Sequence, residues 1–384
     1  MKIVYIYPAL TTVGGADRVI ADKAGYLAEK CGYEVYVVTA HQNGKPFFFP
    51  MSSKVKHIDL DVNFNEQYEH SFFVRGFIYL KLLRVYKKRL SALLMDIKAD
   101  FALTAISRDI DFLFTIKDGS IKIAESHVPK KFARNLHLMQ RRGFLYRIVG
   151  KIWTKRLERS AKKFDAFVVL TQKDADDWSS IRHCTVIPNP LPFYPEKVST
   201  CKEKLIISVG RLYEEKGYDR LIEAWAIAAP KHKGWKLYIY GNGELGDFLN
   251  GLILEKGISD SFFIVDPVNN IVNKYIESSF YVMSSRFEGF GMVLIEAMAC
   301  GLPVISFNCP VGPANIIKDN EDGFLVEDGN IQQFAEKICL LIENEELRIK
   351  MGKNARENVK RYNQENIMKK WISLFESFKK TSLN

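Results

Sequence analysis

The sequence predicts an α/β protein made of two doubly wound domains, each a parallel sheet covered by helices on both faces. Three observations point there. Short β-branched and aromatic runs alternate with helical periodicities from Lys2 to Ile187, the alternation stops at a Pro- and Lys-containing stretch after Pro188, and it restarts at Leu205. Such alternation needs crossover connections, and crossovers leave helices on both faces of a parallel sheet. A chain of 384 residues can hold two cores of ordinary size. We place the first domain at 1–190, the second at 191–362 and a terminal helical segment at 363–384, with the interdomain linker in the irregular run to Lys204.

In chain order, Lys2 to Tyr7 reads as a first strand, followed by a turn holding Gly14 and Gly15 and a helix from Asp17 to about Lys30, closed by Gly32. This Rossmann-like opening lacks the G-x-G-x-x-G fingerprint. Strands follow at Glu34 to Ala40, Val55 to Leu60, Asp100 to Ile106, Ile121 to Ser126, Asp165 to Thr171 and Thr185 to Ile187. In the second domain the strands are Leu205 to Gly210, Trp235 to Tyr240, Phe262 to Val265, Phe280 to Ser284, Val304 to Phe307 and Phe324 to Val326. Helices fall at Tyr218 to Ala229, Glu244 to Lys256, Asn330 to Glu343, Glu346 to Tyr362 and Asn363 to about Lys379.

Composition excludes several classes. Hydrophobic residues at 47% and charged residues at 26% are ordinary globular values. Six scattered cysteines without a C-x-x-C pair read as reduced thiols of a cytosolic protein. The longest uncharged run, Ala297 to Ile317, is broken by Pro303, Pro310 and Pro313, so it is no spanning helix. The N-terminus lacks a small-residue cleavage site and reads as a buried strand rather than a signal peptide. The net charge of +10 is unevenly placed, since Val128 to Lys163 holds twelve Lys and Arg against one acid, Glu158.

Function is concentrated in Ser284 to Pro303, S-S-R-F-E-G-F-G-M-V-L-I-E-A-M-A-C-G-L-P. A strand feeds a loop with Glu288, Gly289, Phe290 and Gly291, and a helix runs from Met292 and Val293 to Gly301. Glycines permit close backbone approach, and the N–H groups of a first helical turn favour an anion such as a phosphate. Glu296, about one turn in, lies among core-type residues and can reach a ribose hydroxyl, while Glu288 can grip a sugar.

The pair Glu288 and Glu296 in this setting resembles the E-x7-E signature of glycosyltransferase family 4, almost residue for residue from Phe287 to Ile305. The resemblance implies a GT-B fold, with two Rossmann-like domains facing across a cleft and a last helix returning to the first domain. It also implies a retaining transferase using a nucleotide sugar. Gly14 and Gly15 would lie beneath the donor sugar and diphosphate. Ser208 to Gly217 carries the family's G-R-L-x-x-x-K-G, which assigns Arg211 and Lys216 to the diphosphate. Gly241 and Asn242 form a further turn at a strand end. Relatives have a glycine where Asp266-Pro267 stands here, although the backbone of Val265 could still read uracil through its imide edge. The loop Asn308 to Pro313 resembles a variant associated with UDP-hexoses or UDP-N-acetylhexosamines. His127, after the strand Ile121 to Ser126, matches the histidine that touches the transferred sugar at its 6-position.

Three D-x-D strings, Asp59/Asp61, Asp109/Asp111 and Asp174/Asp176, read as chance, because cations already stand where the diphosphate should lie; no metal or other cofactor is expected. The basic, aromatic-rich segments 72–90 and 130–163, including Arg141 and Arg142, suit an anionic membrane surface. No nucleic-acid motif appears. The expectation is a cytoplasmic enzyme, peripheral at the inner face of the cytoplasmic membrane, that serves bacterial surface polysaccharide synthesis on a glycan or lipid-linked acceptor. A sugar-nucleotide epimerase of the same fold and a non-catalytic nucleotide-sugar-binding protein are the alternatives.

Overall fold

The computed structural model describes residues 1–12, 14–135 and 144–381; Arg141 and Arg142 of the basic segment lie outside the described residues. The chain forms two compact units, residues 1–188 with 367–384, and residues 189–366.

The first unit holds strands β1 (Lys2–Tyr7), β2 (Glu34–Thr39), β3 (Lys56–Asp59), β4 (Phe101–Ala105), β5 (Ile121–Glu125), β6 (Ala166–Val169) and β7 (Cys184–Val186). They make a parallel sheet of order β3-β2-β1-β4-β5-β6-β7. Ile3 to Ile6 are buried on both faces, which is why β1 reads as one apolar run. Helices are α1 (Gly15–Glu29), α2 (Phe72–Ile97), α3 (Phe144–Ala161) and α4 (Gln172–Asp177). The helix α1 begins at Gly15, two residues before Asp17, because Asp17 is busy elsewhere. Its carboxylate accepts the Thr12 N–H, the Thr12 hydroxyl and the Tyr7 hydroxyl, and so ties the turn after β1 to the helix.

The second unit holds β8 (Leu205–Val209), β9 (Lys236–Tyr240), β10 (Phe262–Val265), β11 (Phe280–Met283), β12 (Val304–Phe307) and β13 (Gly323–Val326), in the parallel order β10-β9-β8-β11-β12-β13. Its helices are α5 (Tyr218–Ala228), α6 (Gly246–Glu255), α7 (Ile271–Ile276), α8 (Met292–Ala299), α9 (Pro313–Ile316), α10 (Ile331–Glu343) and α11 (Glu345–Val359). Trp225, Leu221 and Ile222 of α5 share a core with Phe334, Ile338 and Leu341 of α10. The last helix, α12 (Gln364–Thr381), brings Trp371 and Phe375 into the first unit, where the Phe375 ring lies 4.7 Å from Phe101. Among the described residues no helix is long and apolar enough to cross a membrane.

One expectation needs correction. The irregular run to Lys204 is not a free linker but part of the second unit. Leu191 N–H donates to the Tyr362 carbonyl at 2.7 Å, Ser199 N–H to Cys300 at 2.9 Å, and Cys201 is buried. The physical reason lies on α11. Arg348 is buried and gives Nε to the Cys201 carbonyl at 3.0 Å and Nη1 to Ile342 at 2.8 Å, while Arg356 serves the Pro195 carbonyl at 2.7 Å. Arginine donors thus pair carbonyls that no strand pairs. Replacing Arg348 by Met should leave those carbonyls unpaired and cost about 3 kcal/mol, read as an earlier urea midpoint. An unchanged midpoint would show that this anchoring contributes nothing.

Candidate active site

In the second sheet the chain winds outward from β8 through β9 to β10, and in the other direction from β11 through β12 to β13. Loops after β8 and β11 therefore part at a switch point, where open α/β sheets form ligand crevices.

Gly210 opens the loop after β8. A Cβ there would stand 2.7 Å from the Tyr218 hydroxyl and 3.5 Å from Lys216 Cε, so its absence lets the Lys216 side chain lie across the backbone. Gly217 closes the loop at φ +61°, where a Cβ would sit 2.3 Å from the Ser284 carbonyl. Three contacts then fasten this loop to the one after β11. Ser284 Oγ donates to the Lys216 carbonyl at 3.0 Å, Arg286 N–H to the Glu215 carbonyl at 2.8 Å, and the Arg286 guanidinium grips Asp219 at 2.8 and 2.6 Å. Burial alone would raise the Asp219 carboxyl, but Arg286 holds it below the usual range.

Across this junction Lys216 Nζ donates to Glu288 Oε1 at 2.7 Å, and Ser285 Oγ donates to the same oxygen at 2.7 Å. Arg211 is paired with Glu215 at 3.0 Å on the exposed rim. Glu288 also bridges to Val311 in the Asn308 to Pro313 loop. Val311 has φ +81°, a strained setting for a β-branched residue, and its carbonyl is held by Asn315. The adjacent Gly312 is required because a Cβ would stand 2.5 Å from the Phe290 carbonyl.

Gly291, at φ +97°, starts α8 and leads into Met292 and Val293. The Phe290 ring turns away, packed at 5.3 Å against Tyr362, so only its backbone and that of Gly289 can face a ligand. Glu296 is buried and accepts from the Tyr275 hydroxyl at 3.2 Å; burial, then the Glu296 charge, push Tyr275 well up.

Beside these loops lies a cavity of about 250 Å³ lined by Leu212, Gly241, Asn242, Asn250, Val265 and Asp266. Gly241 is needed by the fold itself, since a Cβ would lie 1.9 Å from the Gly210 carbonyl. The Val265 carbonyl already accepts the Gly241 N–H at 2.8 Å, and Asn242 O accepts from Leu212 at 2.8 Å.

In the first unit, Gly14 has an ordinary φ of −68° and Gly15 is the first residue of α1. A Cβ on Gly14 would lie 3.1 Å from Thr12 Oγ1, within the turn that Asp17 ties. His127 follows β5. Its side chain is 8% exposed, Nε2 lies 3.4 Å from Glu125 Oε2, and neither ring nitrogen has an aligned hydrogen-bond partner. Glu125 is itself buried and accepts from Lys23 Nζ at 2.6 Å. Burial would raise the Glu125 carboxyl, but Lys23 and His127 overcome this and hold it at about 2.

The D-x-D strings have separate surroundings. Asp109 is buried and accepts from Thr104, Ser107 and Tyr86, and Asp174 accepts the Lys130 N–H at 3.3 Å. Asp59 and Asp61 stand with His41, their ligand atoms within 4.8 Å of one another. Asp59 already accepts from Thr39 at 2.9 Å and from the Gln42 N–H at 2.8 Å. Sequence reasoning missed Lys23, Asp219, Tyr275 and Arg286. Only Arg286 carried a signal, as part of the S-S-R entry to the motif.

Residues 194–358 match the family described as "Glycosyl transferases group 1". The chain is 29% identical over 376 residues to an uncharacterized glycosyltransferase of Haemophilus influenzae, covering 96% of this chain and 98% of that one. It is 38% identical over 215 residues to the amylovoran biosynthesis glycosyltransferase AmsD of Erwinia amylovora, covering 53% of this chain but only 60% of that one. Among solved structures, S. aureus TarM, in a complex with UDP, fondaparinux and α-GlcNAc-glycerol, aligns at TM-score 0.77 and 18% identity over 97% of this chain and 99% of that chain. That likeness speaks for the fold.

The Glu125 shift has a consequence for acid stability. A carboxyl held at about 2 in the fold stabilises it fully above its ordinary 4.5, and that contribution is lost as pH falls toward 2. Stability followed by circular dichroism should therefore fall less steeply between those limits in Glu125→Gln than in the wild type. Equal slopes would mean that the carboxyl titrates normally.

Proposed function

We propose that this chain, whose residues 194–358 match the group 1 glycosyl transferase family, is a GT-B glycosyltransferase that moves a hexose or N-acetylhexosamine from a nucleotide sugar, most simply a UDP-sugar, to a glycan or lipid-linked acceptor in bacterial surface polysaccharide synthesis. The observation that carries this reading is the Lys216–Glu288 pair at the switch point, held by two clamped loops beside the start of α8. An arriving donor can divide the pair between its parts. Lys216, with Arg211 and the N–H groups that open α8, takes the diphosphate, and Glu288 takes sugar hydroxyls.

These groups meet the oxygens on which charge grows as the nucleoside diphosphate leaves, so they stabilise the transition state more than the ground state. No carboxylate is assigned as a nucleophile. The acceptor hydroxyl attacks from the face the leaving group vacates, which retains configuration, and its proton passes to the departing phosphate. Glu296, oriented by Tyr275, holds the ribose. His127 holds the 6-position of the sugar. Gly14 and Gly15 offer close backbone beneath the donor, and the cavity at Asn242 and Val265 accepts the base. Because Arg211 and Lys216 neutralise the diphosphate, a metal ion is not needed.

Thermal unfolding with UDP, GDP and ADP, with and without chelator, tests the donor site. Stabilisation by UDP that survives chelation is expected, and Lys216→Met should weaken UDP binding about 10- to 100-fold, the loss of one charged hydrogen bond. No shift with any nucleotide would sink the reading.

The membrane part rests on α2 and α3. Phe77 is 71% and Ile152 60% exposed, with Val74, Leu80, Ile148 and Val149 also open. Exposed Lys81, Arg84, Lys87, Lys151 and Lys155 stand among them. Exposed apolar side chains among cations suit an anionic bilayer surface, which would present a lipid-linked acceptor. Co-sedimentation should favour phosphatidylglycerol vesicles over phosphatidylcholine and weaken in Phe77→Asp/Ile152→Asp; equal binding to both vesicles would remove the membrane from the proposal.

A further inference from the structure

The buried Glu125 carboxylate faces two nitrogens through one oxygen, Lys23 Nζ at 2.6 Å and His127 Nε2 at 3.4 Å. We infer that Lys23 and Glu125 are a positioning pair that fixes His127 as the neutral tautomer with its proton on Nε2, leaving Nδ1 as the bare acceptor for a sugar hydroxyl. The inference rests on the reading of His127 as a contact to the transferred sugar.

An ionised carboxylate only accepts hydrogen bonds, so the imidazole nitrogen that faces it must be the N–H. What keeps the carboxylate ionised in a buried place is Lys23, which is 1% exposed and has its Nζ 3.8 Å above the Trp371 ring and 5.4 Å from the Tyr5 ring. A protonated Glu125 would instead donate to Nε2 and push the ring proton to Nδ1. Lys23 therefore decides, through Glu125, which face of His127 can accept.

A purely structural role is a poor account of this pair. Buried ion pairs are often no more stabilising than apolar residues of like volume, and α1 already presents Val19, Ile20, Ala24 and Leu27 to the core. A fixed anion under an imidazole is something apolar residues cannot supply. The unpartnered His127 Nδ1 agrees with this, since a buried acceptor without an aligned partner is set for a ligand. Trp371 adds a tie to the end of the chain. It lies on α12, so the last helix closes the cluster that orients a residue following β5.

Histidine labelled with 15N reports the tautomer directly and needs no ligand. The chain has seven histidines, and His127→Ala assigns the signal. At pH 8 the wild type should show a single neutral Nε2–H form. In Lys23→Met that form should disappear, because Glu125 either takes a proton and flips the ring or draws a proton onto it to make imidazolium. Glu125→Gln should give the Nδ1–H form or a mixture.

A wild-type ring carrying its proton on Nδ1, or averaging between tautomers, overturns the inference without any variant having to fold. So does a Lys23→Met spectrum equal to the wild type. Calorimetry with UDP, UDP-glucose and UDP-N-acetylglucosamine separates this from the parent reading. His127→Ala should bind UDP normally and its sugar conjugates about tenfold more weakly, the value of one neutral hydrogen bond. If His127→Ala binds all three as the wild type does, the sugar contact fails, whatever the tautomer.

Discussion

Two loops that leave neighbouring strands in opposite directions are not held together by the sheet that launches them. At the β8–β11 switch the sheet stops at Val209 and Met283, and everything beyond depends on side chains and missing side chains. The Arg286–Asp219 fork supplies direction and charge neutrality. The bare Cα of Gly217 lets the Ser284 carbonyl come so close that a methyl would strike it. Remove either and the distance between Lys216 and Glu288 is no longer set. The ion pair is a consequence of the clamp, not its cause.

That dependence explains why a cation and a carboxylate face each other at the mouth of the switch point. An unpaired ammonium and an unpaired carboxylate, both largely out of water, would each carry a desolvation cost. Paired, they neutralise one another, and in the proposed reaction a donor would give each a new partner. Under the proposed reaction the same groups would stand near the developing charge with little reorganisation left to make. Val311, held at a positive φ beside Glu288, shows that the fold spends some backbone strain to close this corner.

Much of this was legible in the sequence because the donor side is written in contiguous motifs. Glu288 to Glu296 is one loop and one helix, and Arg211 to Gly217 is one loop, so local pattern and local geometry coincide. The parallel sheets followed from alternation, and most element ends fell within two residues of the expected ones. The misreading was of burial. The run after Pro188 to Lys204 reads as the interdomain linker, yet arginines more than a hundred residues away hold it in the second unit. Gly241 lines the cavity and is also a place where two backbones touch, a second demand that local pattern does not show.

The first unit was harder to read for a related reason. Its chemistry is built from partners far apart in the chain. Lys23 and Glu125 are separated by 102 residues, and Trp371 comes from the last helix. On α1, a lysine between Asp22 and Ala24 reads as an ordinary surface base, and only the fold reveals that its ammonium is enclosed. A buried cation is informative in a way that a surface cation is not, because burial obliges it to find an anion and an aromatic face. The anion it finds then acts on its other neighbour, His127. His127 can be singled out from its place after β5, but the lysine that acts on it through Glu125 cannot, because 102 residues separate Lys23 from Glu125. The function of such a residue lies in a chain of contacts, and its first link is the helix that follows β1.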